Sequence, residues 1–129
     1  MIKGIAQVAL IVREYNEAKN YYCQKLGFTV AEDTLLAGGK RWVRLRAPGG
    51  AGSELVLTRA VDERTKARAG NQTGGPVLFF LHTDDFEADF GALQSKGVKF
   101  VEQPRDEPYG RVAVFLDLYG NRVDLIEPK

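Results

Sequence analysis

Hydrophobic positions along this chain recur in short blocks with two different periods. Ile5–Val12 is a short apolar run, the pattern of a buried strand. From Glu14 to Leu26 the period changes: Tyr15, Ala18, Tyr22 and Leu26 fall three or four residues apart, which predicts a helix with one buried face. Glu14 or Asn16 is placed to cap its start, and Gly27 stands where a left-handed residue ends a helix. Phe28–Leu36 reads as a strand, Gly38-Gly39 as a turn, and Lys40–Ala47 as a second strand with Trp42, Val43 and Leu45 as its apolar members. After a Pro48–Gly52 loop, Glu54–Arg59 forms a third. The polar stretch Val61–Gly75 follows, with a helical turn expected near Glu63–Arg68.

The order then begins again. Val77–Thr83 reads as a buried strand and Glu87–Lys96 as an amphipathic helix closed by Gly97. Asp84 and Asp85 precede it as helix-start carboxylates, which satisfy free amides and the dipole. Val98–Glu102 and Val112–Asp117 are expected strands, Leu118–Asn121 a turn, and Arg122–Glu127 the last strand. At an offset of 70 residues Ala18 meets Ala88, Gly27 meets Gly97, Gly50 meets Gly120, and Glu54–Leu57 meets Asp124–Glu127. With one inserted residue, Gln7–Val12 meets Leu78–Thr83. This is an internal duplication. It predicts an α+β protein of two βαβββ modules, residues 1–70 and 71–129.

Composition narrows the function. Eighteen basic against 17 acidic residues give a net charge of +1, which argues against nucleic acid, where a basic face supplies most of the affinity. Lys40, Arg41, Arg44 and Arg46 are the densest basic group, and strand alternation is expected to scatter them over two faces as a solvated edge. The single Cys23 excludes an internal disulfide and a cysteine-based zinc site, and reads as a small buried hydrophobe. No run approaches the roughly 18 apolar residues of a membrane span, and Met1–Gly4 leads into no cleavage signal. A cytoplasmic protein is expected.

Three stretches carry a family resemblance: Val8–Tyr15 at the strand-to-helix entry, Tyr21-Tyr22 through Lys25–Phe28 at the helix exit, and the ending Phe115–Glu127. With the paired modules, the chain resembles the vicinal oxygen chelate superfamily, which includes glyoxalase I, extradiol dioxygenases, and fosfomycin- and bleomycin-resistance proteins. That resemblance implies sheets curled into a half-barrel around a cavity, and a homodimer. The metal-dependent members carry four ligands, one on the first and one on the last strand of each module. The resemblance transfers these positions to Gln7, Glu54, Leu78 and Asp124, the same four that the duplication pairs.

Leu78 has no lone pair, so the set is incomplete. Gln7, Glu54 and Asp124 would form an oxygen-only site suited to a hard divalent cation. The two histidines and one carboxylate that hold iron in ring-cleaving oxygenases are absent from these positions. The favoured expectation is a metal-free cleft that binds a hydrophobic or planar small molecule, lined by Trp42, Phe80, His82, Tyr109 and Arg111. Tyr109 and Arg111 follow the loop Pro104–Pro108, which in this superfamily borders the cavity mouth. The alternative is a metal-dependent glyoxalase-type lyase in which Glu54 or Asp124 moves a proton. A third reading is a metal-free enzyme using His82, the one side chain with an unperturbed titration near neutral pH. His82 lies roughly 13 Å along the strand from Leu78 and cannot replace it at the same ion.

Overall fold

The computed structural model describes the whole chain, Met1–Lys129, as two compact units, Met1–Ala69 and Gly70–Lys129. In the first, β1 (Gln7–Val12) leads to α1 (Tyr15–Leu26), then β2 (Thr29–Leu35), β3 (Arg41–Arg46), β4 (Glu54–Arg59) and the short α2 (Glu63–Lys66). In the second, β5 (Phe79–His82) leads to α3 (Phe86–Ser95), then β6 (Arg105–Glu107), β7 (Gly110–Leu116) and β8 (Arg122–Pro128). Each unit has a four-stranded mixed sheet, ordered β1-β4-β3-β2 and β5-β8-β7-β6, and neither sheet closes into a barrel. The first and last strands of each unit run parallel, and the other pairs are antiparallel. Two copies of one α+β topology are therefore present, as the duplicated pattern predicts. No helix is long and apolar enough to cross a membrane.

The elements form for local reasons. Glu14 caps α1 by accepting from the Asn16 and Glu17 amides at 2.8 Å each, and Gly27 ends it at φ +77°. The predicted stripe Tyr15, Ala18, Tyr22 and Leu26 is buried, and Phe28 meets Tyr22 edge-on at 5.3 Å between ring centroids. In the second unit Asp85 caps α3 by accepting from the Ala88 amide. A chain of rings, Phe86, Phe90, Phe100 and Phe115, links that helix to β7. Cys23 is half-buried, and desolvation pushes its thiol up.

One element differs from expectation. Val98–Glu102 is not a regular strand: it meets β7 at a single bridge, Phe100 with Phe115, flanked by bonds from the Val101 amide to the Val114 carbonyl and from the Leu116 amide to the Lys99 carbonyl. The strand on this edge is Arg105–Glu107, in the segment read as a loop. Pro104, which lacks an N–H, divides the two pieces. Apolar alternation could not reveal β6, because its side chains are held by charge. Arg105 pairs with Glu102 and Glu107, and Asp106 with Arg111.

Candidate functional sites on the two sheets

Strand register sorts the side chains into faces. In the first sheet Leu55 and Leu57 point into the core under α1, so Glu54 and Val56 point to the opposite face. Gln7 lies opposite Glu54 in the β1–β4 ladder, Arg44 opposite Val56, and Glu32 and Thr34 opposite Arg44 and Trp42. A polar ribbon consequently crosses all four strands. Arg44 donates to Glu32 at 3.1 Å and to Glu54, and Arg46 donates to the other Glu54 oxygen at 3.4 Å. Gln7 also hydrogen-bonds the Glu54 carboxyl, and the Trp42 indole bonds Glu32.

That ribbon decides the state of Glu54. The Arg44 guanidinium, more than any other neighbour, holds its carboxyl below the usual carboxylate range. Both oxygens are already occupied by guanidinium donors. Arg44 and Arg46, expected on a scattered edge, share this face. Arg41 instead lies on the other side, bound to Asp33 and Asn16. The i, i+2 spacing of Arg44 and Arg46 was the legible signal, since alternate strand residues share a face.

The second sheet's corresponding face is different. Val123 and Phe115 pair across β7–β8 on the α3 side, which leaves Asp124 and Ile126 on the helix-free side. Val114 and Val112 lie opposite them on β7, and Phe80 and His82 on β5. Phe80 is 58% exposed, whereas Asp124 is only 5% exposed. Asp124 Oδ1 is closed to water and has no hydrogen-bond partner. Burial pushes the Asp124 carboxyl up; Arg105 opposes that shift and Glu102 adds to it. A largely buried apolar face with one desolvated, orphaned oxygen is the result, exposed chiefly at Phe80.

Of the other predicted lining residues, Trp42 is partly exposed on the first sheet's polar face. Tyr109 is exposed at the β6–β7 turn. Arg111 is on the α3 side of its sheet, stacked 5.2 Å from the Phe86 ring and bound to Glu87 and Asp106. It therefore does not share a face with Asp124. The pocket bordered by Gly70, Asn71, Gly120 and Arg122 measures about 90 Å³, below the ~300 Å³ of a site for a drug-sized molecule.

The four family ligand positions fit a divalent cation poorly. Leu78 offers no donor, the Glu54 oxygens are engaged by arginine, and no group of three or more His, Cys, Asp or Glu side chains is placed to hold an ion. The charge on Arg44 and Arg46 also repels a cation at Glu54.

Sequence and structural comparison bears on the same question. The profile of the Glyoxalase/Bleomycin resistance protein/Dioxygenase superfamily matches residues 4–125. The chain belongs to this family. An uncharacterised protein from Shewanella frigidimarina is 46% identical, the alignment covering 98% of this chain and 95% of that protein. TnmS3, described as an antibiotic binding protein from Streptomyces sp. CB03234, is 31% identical with a TM-score of 0.82, over 99% of this chain and 98% of its own. A member of the same superfamily from Sphaerobacter thermophilus is 26% identical with a TM-score of 0.79, over 98% of both chains.

Proposed function

We propose that this protein binds a hydrophobic, planar small molecule against the helix-free face of its second sheet, without a metal ion. The observation that carries the reading is the composition of that face: Phe80, Val112, Val114 and Ile126 around the buried carboxyl of Asp124. Apolar walls with one convergent polar group are what a small-molecule site needs. Its likeness to an antibiotic binding protein over nearly the whole chain supports binding rather than turnover as the role. His82 lies on the same face, opposite Ile126, and is assigned to the lining.

The test is a thermal-shift and calorimetric screen of planar aromatic compounds. Ligands of this class raise Tm, and Phe80→Ala weakens them about tenfold through lost ring contact. If no planar compound shifts Tm or gives heat, the reading fails. The lyase alternative asks Glu54 or Asp124 to accept a proton beside a metal. Two guanidiniums engage both Glu54 oxygens and lower its basicity, and Leu78 offers a metal no donor, so no conversion of the methylglyoxal–glutathione adduct is expected, with or without added Ni²⁺, Mn²⁺ or Zn²⁺.

We also infer a homodimer, as the family resemblance suggests. Light scattering at micromolar concentration then gives twice the 14.3 kDa chain mass, and a 14.3 kDa species overturns it.

A further inference from the structure

The small-molecule reading leaves open what kind of planar compound is bound, and Asp124 supplies an answer that rests on that reading. Of the other side chains that the β5–β8–β7 register places on this face, Phe80, Val112, Val114 and Ile126 are apolar, and His82 and Arg122 are the polar ones. Asp124 is nine-tenths buried there, and Oδ1 has neither water nor a protein donor. The nearby cation is committed elsewhere, since Arg105 is bound to Glu102 and Glu107. The cost of stripping this oxygen of water is therefore already incurred when the protein folds. A donor arriving with a ligand gains a hydrogen bond without having to desolvate its acceptor.

We propose that Asp124 is a hydrogen-bond anchor selecting planar aromatic ligands that carry a hydroxyl donor, a phenol or naphthol, over their plain hydrocarbon counterparts. The ring lies against Phe80, the cross-strand neighbour of Asp124, and the hydroxyl donates to Oδ1. Phe80 is exposed on an edge strand, and rotation of exposed side chains is fast, so its ring adjusts to the ligand. The role does not depend on the protonation state, because Oδ1 accepts whether the carboxyl is neutral or ionised. No metal enters, and the contact is one of binding, not of proton transfer.

The experiment compares three probes of similar shape by calorimetry: 2-naphthol, 2-methoxynaphthalene and naphthalene. In the wild-type protein 2-naphthol binds about tenfold tighter than the other two, the effect of one hydrogen bond to a desolvated acceptor. In Asp124→Leu the three affinities converge, while Asp124→Asn, which keeps an acceptor oxygen, retains the preference. Equal binding of all three to the wild type overturns the anchor and leaves the small-molecule reading standing, and so does a preference undiminished in Asp124→Leu. Because the wild-type comparison needs no substitution, it decides the matter even where Asp124→Leu does not fold. Absence of binding by all three overturns the parent reading and the anchor with it.

Discussion

Glu54 and Asp124 occupy the same position in the two repeats, yet their surroundings drive their carboxyls in opposite directions. Two arginines keep Glu54 charged, whereas apolar neighbours desolvate Asp124. The raised Asp124 value means that the folded protein holds this proton more tightly than the unfolded chain. Its contribution to stability therefore falls as pH rises from about 3.8 through the folded value. Asp124→Asn removes that loss: Tm at pH 7 rises by a few degrees, and the gain shrinks as the pH of the scan is lowered to 4. Asp33 behaves in the opposite sense. Arg41, aided by Lys19, lowers its carboxyl to about 2, so its stabilisation is in force above pH 3.8 and is lost as pH falls towards 2. Gly70 is a steric case. It sits at φ +83°, and an added Cβ would lie 2.0 Å from the Tyr119 carbonyl oxygen. Gly70→Ala is expected to cost about 2–4 kcal/mol, read from the urea midpoint.

At the level of elements, α1 is capped at both ends and pressed onto its sheet by one apolar stripe. The start of α3 is held twice, by the Asp85 cap on the Ala88 amide and by Glu127 of β8, which accepts from the Phe86 amide at 2.7 Å. Asp85→Ala is expected to destabilise the protein by about 1 kcal/mol in denaturant titration, the usual worth of a side-chain N-cap. The β7–β8 turn depends on Asp117, whose Oδ1 accepts from the amides of Tyr119, Gly120 and Asn121. This turn was legible as Leu118–Asn121 because Gly120 and Asn121 mark it. β6 was not legible, since Arg105-Asp106-Glu107 carries no apolar signal and exists as a strand only because β7 presents a free ladder and counter-charges.

Across the whole molecule the duplication is the dominant fact. Two units with one strand order have diverged in what their helix-free faces carry: a satisfied ribbon of charge on the first, and largely buried apolar side chains around one orphaned acid on the second. Duplicated folds commonly keep their scaffold while their sites change, because the core depends on volume and pattern but a site depends on individual groups. Here Leu55 and its counterpart Leu125 are both buried core residues. The binding screen and the mass measurement are the predictions that belong to this scale.

By itself the sequence determined the repeat, the α+β class, the two principal helices with their glycine stops, and the four repeat-related positions. Each of these follows from local periodicity or from special backbone conformations, which neighbouring residues dictate. Tertiary structure alone decided which of those positions are occupied. That Arg44 and Arg46 close over Glu54, that Arg111 turns to the helix side, and that Asp124 Oδ1 is left without a partner all depend on strands brought together from distant parts of the chain. Hydrogen-bond satisfaction and desolvation are properties of that three-dimensional neighbourhood, and no one-dimensional spacing encodes them.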